Sequence, residues 1–240
     1  MGGYDMDDAI RSTAAGRRLA QRRPLATDIG EVVMDMLLNH SLAPGARVNI
    51  DGLARTLGVS PTPVREALAG IESQGLIIKS PQRGYTVAPL IDLGQLHELT
   101  DLRLLIEPSV AAAAAERATA REATSLRAFA RTGGAGSSDP TAIRLDMTYD
   151  AEFHDRLALL AGNGVVRDTL SRLRSHLHMY RLFHHAGQAA ATKPEHLAIA
   201  KAVASADPEA ARAAMESHLR AAMNRLDDVF AGGGLATTRT

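Results

Sequence analysis

Cysteine and tryptophan are absent from this 240-residue chain, and Tyr and Phe number only four each. Without cysteine there are no disulfides and no thiolate metal sites, which leaves the redox character of the compartment open. With aromatics at 3% and alanine plentiful, the chain lacks the side chains of a β-sandwich and favours close-packed helices. No apolar run approaches the roughly 20 residues of a membrane span. The opening MGGYDMDDAI is acidic and polar, unlike a secretory signal. Net charge is missing as well, since 27 Lys and Arg balance 27 Asp and Glu. These absences lead to an expectation of a cytoplasmic, mainly α protein with no membrane role. Hydrophobic residues, by contrast, make up 45% of the chain, enough for real cores and, at this length, for two domains.

The charge is unevenly spread. From Arg11 to Leu90 there are ten Arg or Lys against six Asp or Glu, whereas from Ile91 onward the balance is 17 against 18. A basic surplus confined to one segment is a modest footprint for phosphates. Within that segment lies VSPTPVREAL, Val59 to Leu68. Pro lacks the backbone donor that a first helical turn leaves unbonded, so Pro61 and Pro63 belong in or just before such a turn. Ser60 or Thr62 can cap it. Hydroxyls, open amides and Arg65 near a helix start suit phosphate oxygens and base edges, so Thr62 to Ser73 reads as a recognition helix.

Residues 1–23 lack periodicity and read as a flexible arm. Apolar spacing predicts helices over Leu25–Leu38 and Ile50–Leu57, with Gly58 as the left-handed stop of the second. Val64, Ala67, Leu68 and Ile71 point inward from the recognition helix, and Gly75 closes it. Leu76 to Lys79 and Tyr85 to Val87 are β-prone runs around a turn with Arg83-Gly84 at its tip. Three helices and a hairpin make a winged helix-turn-helix over 24–89, with Ser60, Thr62, Arg65, Arg83 and Gly84 as its DNA-contacting residues.

From 90 to 231 every segment reads helical. Helices are expected over Asp92–Arg117, after a Thr119/Glu122 capping box, and over Thr141–Leu160, Gly164–His185, Pro194–Ser205 and Pro208–Phe230. Gly133 to Ser138 is a loop, and 232–240 a flexible tail. Short connections imply an all-α antiparallel bundle. Asp150 and His154 stand four apart on one helix face, while His196 and His218 sit on two later helices. One carboxylate and three imidazoles on facing helices can hold a divalent ion such as Zn, Ni, Mn or Fe. The same spacing also describes a surface pair and ordinary helical histidines. Arg103 is either the partner of Glu107 in an intrahelical ion pair or a planar fork for a ligand carboxylate. The run His176, His178, His184 and His185 reads as a solvated or pocket-lining face.

The segment LARTLGVSPTPVREALAGIESQGLIIKSPQRGYTV resembles the winged helix of GntR-family bacterial transcription regulators. The runs LTDLRLLIEPSVAAAAAERAT, DAEFHDRLALLAGN, EHLAIAKAV and AAMESHL resemble that family's FCD effector domain, in the FadR-like branch. The resemblance spans roughly Leu25 to Phe230. It implies a homodimer on a pseudo-palindromic DNA operator, most often a repressor, controlled by a small carboxylate effector. It also implies a divalent metal, zinc first, on Asp150, His154, His196 and His218. Pro61 stands where many members of the family carry an Arg that reaches a base, so the operator sequence does not carry over. A metal-dependent enzyme and a constitutive DNA-binding dimer are the competing readings; the winged helix argues against the first, and the four metal-type residues against the second.

Overall fold

The computed structural model describes residues 25–81, 84–133, 140–173, 178, 181 and 189–231. The arm and the C-terminal tail expected from the sequence therefore lie outside the described residues, as do Arg83, the 134–139 part of the glycine-rich loop and most of the His-rich run.

The N-terminal part begins with α1 (Leu25–Leu38), α2 (Ile50–Leu57) and α3 (Pro61–Ser73). Asn49 caps α2 by accepting a bond from the Gly52 amide, and Gly58 ends it at φ 65°, a conformation that costs glycine little. Pro61 occupies the first position of α3, as expected, and Ser60 is its N-cap residue by position. The Ser60 side chain makes no capping bond, so the expected hydroxyl cap is not formed there. Three strands follow the helices in space: β1 (Arg47–Val48), β2 (Ile77–Ser80) and β3 (Gly84–Val87), in the order β1-β3-β2 and antiparallel throughout. Ser80 pairs with Gly84 where β2 and β3 come together. The third strand is not apparent in the sequence, because two residues carry no alternation. Ile29, Val33, Leu37, Leu38, Val64, Leu68, Ile71, Leu76 and Val87 form the core beneath these elements.

The C-terminal part comprises α4 (Leu93–Arg117), α5 (Ala120–Ala130), α6 (Pro140–Leu160), α7 (Gly164–Leu173), α8 (Ala189–Ala204) and α9 (Pro208–Ala231). Asp92 and Gln95 close a capping box on α4, and Thr119 and Glu122 close the expected one on α5. The α8 helix begins at Ala189, so Pro194 lies inside it and not at its start. The α9 helix runs along α4, with α8 against both α9 and α5. Small side chains make this closeness possible: Ala111, Ala114, Ala115, Ala130, Ala200 and Ala211 are all buried in the bundle core with Phe153, Leu157, Ile199, Met215 and Leu219.

One helix belongs to both parts. Near the N-terminus of α6, Ile143 and Met147 are buried in the winged-helix core. Between them Arg144 reaches Asp35 at 2.8 Å and Glu31 at 3.5 Å, both on α1. Further along, Phe153, Leu157 and Ala158 of the same helix enter the bundle core. A second tie is made by Arg181, whose guanidinium donates to the Ala88 and Pro89 carbonyls just after β3. His40 Nε2, in turn, bonds the Arg181 carbonyl at 2.8 Å. Burial lowers the Arg181 pKa to about 10, which still leaves it charged at neutral pH.

Candidate metal centre and DNA-reading surface

The α6 helix projects Asp150 and His154 from one face, one turn apart, into the bundle interior. Opposite them stand His196 from α8 and His218 from α9. All four are buried, and one ligand atom from each can be chosen so that all lie within 4.8 Å of one another. The imidazole centroids are 5.3 Å apart for His154–His196, 5.3 Å for His154–His218 and 4.8 Å for His196–His218. Phe153 stacks on His196 at 3.9 Å and 11°, closing the apolar side.

What surrounds the histidines decides which nitrogen each can offer. Glu107 of α4 lies 2.5 Å from His154 Nδ1, and Glu195 of α8 lies 2.7 Å from His218 Nδ1. A carboxylate only accepts, so both imidazoles donate from Nδ1 and keep the Nε2 lone pair for the centre. The Tyr149 hydroxyl lies 3.2 Å from His196 Nδ1. His196 Nε2 is buried without a hydrogen-bond partner and faces Asp150 Oδ1 at 3.3 Å. A buried nitrogen left in that condition is costly unless something else binds it. Ligands on one ion at bond lengths of about 2.1 Å are at most about 4.2 Å apart, so small side-chain shifts close this set on a cation. The residues present fit a divalent metal.

The electrostatics agree. Burial pushes the His154 pKa down to about 4, against the opposing pull of Glu107, and pushes His196 down to about 3. Both are therefore neutral at physiological pH, the form that ligates. Burial alone would raise the Glu107 carboxyl, but Arg103 and His154 outweigh it and hold Glu107 well below the usual carboxylate range. The same balance lowers Glu195, where His218 and Arg225 overcome desolvation. Burial, aided by Asp150, raises the Tyr149 phenol, which stays protonated.

Arg103 is buried, and its Nε donates to Glu107 Oε1 at 2.5 Å. The ion-pair alternative of the sequence is thus realised, and the pair carries through Glu107 to His154. The orienting residues Glu107, Tyr149 and Glu195 were not assigned to the centre from sequence. Tyr149 and Glu195 each adjoin a ligand in the chain but turn to another face of their helix, where ligand spacing gives no signal. On the N-terminal part, Ser60, Thr62, Arg65 and Gly84 are all exposed. Arg65 lies just beyond the first turn of α3, one residue after the buried Val64. Among the described residues no helix is long and apolar enough to cross a membrane.

Two family models match the chain: "Bacterial regulatory proteins, gntR family" over residues 25–87 and "FCD domain" over 98–221. An uncharacterised HTH-type transcriptional regulator of Streptomyces ambofaciens is 31% identical, over 85% of this chain and 86% of its own length. The HTH-type transcriptional repressor NanR of Enterobacter sp. is 28% identical, over 88% of this chain and 90% of its own. In fold, the chain is similar to the solved structure of Escherichia coli McbR/YncC (TM-score 0.63, 20% identity), with 87% of this chain and all of that one covered. The relatives are transcription regulators and not enzymes, which removes the metal-dependent enzyme as a reading. A winged helix in front of a helical bundle with a buried Asp/His centre, matched in both halves, makes this chain a DNA-binding transcription regulator of the GntR family with an FCD domain.

Proposed function

We propose that the protein is a cytoplasmic repressor that binds a pseudo-palindromic operator as a homodimer and responds to a small carboxylate bound at a divalent ion in the bundle. In this reading residues 24–89 read DNA, and 90–231 bind effector and dimerise. The observation that carries it is the centre itself: three imidazoles with Nδ1 engaged outward and one carboxylate, all buried on a regulator's bundle. Asp150, His154, His196 and His218 would hold the ion. With zinc, or with nickel, manganese or iron, the ion would supply a Lewis-acidic position for one carboxylate oxygen. Repression follows the named activity of the NanR relative.

Arg103 is the proposed second contact for the effector. An effector reaching it must share it with Glu107, so effector binding perturbs the Arg103–Glu107–His154 chain. Ser60, Thr62, Arg65, Arg83 and Gly84 are the proposed DNA contacts, Arg65 toward a base edge and Arg83 with Gly84 at the wing. A switch also requires the effector to bind one arrangement of the winged helices better than the other. Helix α6, which carries two ligands and docks on α1, is the element positioned to link the two.

Elemental analysis of protein purified without affinity metal, followed by operator titrations against a panel of small carboxylates, tests the reading. About one divalent ion per chain is expected, with at least one carboxylate shifting operator affinity. His154→Ala and His196→Ala should lose the ion and the effector response while keeping DNA binding. Metal-free wild-type protein, together with normal effector response in both variants, would refute it.

A further inference from the structure

His154 and His218 each turn Nδ1 to a carboxylate, but His196 turns Nδ1 to a phenol. Tyr149 sits next to Asp150 on α6, and its hydroxyl makes two bonds. It lies 3.1 Å from the Ala130 carbonyl at the end of α5 and 3.2 Å from His196 Nδ1. A carbonyl can only accept, so the phenol proton goes to Ala130 and the phenol oxygen is left to accept from His196 Nδ1–H. That chain of two bonds favours the His196 tautomer whose Nε2 bears the lone pair over the one in which Nε2–H donates to Asp150 Oδ1, 3.3 Å away. Nε2 is the buried atom without a hydrogen-bond partner that faces Asp150.

The ring is held for this purpose from two sides. Phe129 of α5 stacks against it with centroids 5.2 Å apart and planes at 27°. At Gly133 a Cβ would fall 2.1 Å from two atoms of the Tyr149 ring, a separation no side chain can take. Glycine is required there because the backbone runs directly against the phenol.

We propose that Tyr149 is a positioning residue of the metal centre, fixing the His196 tautomer so that Nε2 is presented to the ion, with Gly133 as the backbone seat that keeps the phenol in place. The proposal rests on the metal reading given above and adds to it a determinant on α6 that is not itself a ligand. Orienting partners of this kind change metal affinity by about 10- to 100-fold when removed.

Tyr149→Phe keeps the ring and removes only the oxygen. Zinc affinity of the full-length protein, measured by chelator competition, should fall about 10- to 100-fold in Tyr149→Phe and in Gly133→Ala. Long-range nitrogen–proton spectra of histidine-labelled, metal-free protein supply the second readout, which a merely structural tyrosine would not move. Wild-type His196 should be protonated at Nδ1 alone, and Tyr149→Phe should show a mixture of tautomers. Wild-type His196 protonated at Nε2 overturns the proposal without recourse to any variant. Unchanged zinc affinity in a folded Tyr149→Phe protein overturns it as well. Wild-type protein that takes up no zinc overturns the metal reading, and the tautomer spectrum decides separately whether Tyr149 orders His196.

Discussion

Glu107 of α4 ties that helix to α6 through His154. It stands between a guanidinium and an imidazole, and all three are buried. Its removal leaves the Arg103 charge in the core without its carboxylate, a loss that typically costs about 3–5 kcal/mol. A buried pair as a whole is worth much less than that against an apolar replacement of the same volume. Urea denaturation should therefore show Glu107→Ala destabilised by about 3–5 kcal/mol, while Arg103→Met/Glu107→Leu loses distinctly less than the sum of its single changes. Additive losses would mean that the two side chains do not act as a pair. On the DNA side, Arg65 is exposed on α3. Arg65→Ala should cost about 1–3 kcal/mol of discrimination in operator titrations, with fold and assembly unchanged. Wild-type discrimination in the variant would move the base contact elsewhere.

At the scale of elements, α6 is the joint. Two forces hold it on the winged helix: apolar burial of Ile143 and Met147, and the Arg144 ion pairs to Asp35 and Glu31. Partly exposed ion pairs contribute at most about 1 kcal/mol, whereas truncating a buried Met costs about 2–5 kcal/mol. Met147→Ala should thus lower unfolding stability by about 2–5 kcal/mol, and Arg144→Ala by about 1 kcal/mol or less; the reverse order would make the docking electrostatic. How much of this was legible in the sequence depended on periodicity. Helices such as α2 and α3, with their apolar faces and Gly58 stop, were plain because pattern and breaker agreed. So was the Asp150–His154 pair, because one helical turn brings them together. The two-residue β1 has no period, and the start of α8 was obscured by Pro194, whose usual place is a first turn. The orienting shell of Glu107, Tyr149 and Glu195 depends on how α4, α5, α6, α8 and α9 meet, which no local pattern encodes. Nor does any local pattern show that α6 serves two cores.

For the whole molecule, electrical neutrality has a consequence for DNA binding. With 27 charges of each sign, attraction to phosphates cannot come from the total and must come from the local surplus of the segment that carries the winged helix. Operator affinity should therefore fall with salt in proportion to the number of phosphate contacts, at about −0.9 in log–log slope for each. That count also reports assembly. If Arg83 contacts a phosphate, its loss removes one contact from a monomer on DNA and two from a homodimer on two half-sites. Arg83→Ala should then flatten the salt slope by about 2 for the proposed dimer, and by only about 1 if a single chain binds. Light scattering of the free protein gives the stoichiometry independently. A dimer in solution whose Arg83→Ala slope changes by about 1 would mean that one wing alone engages the operator; an unchanged slope would take Arg83 off the phosphates altogether.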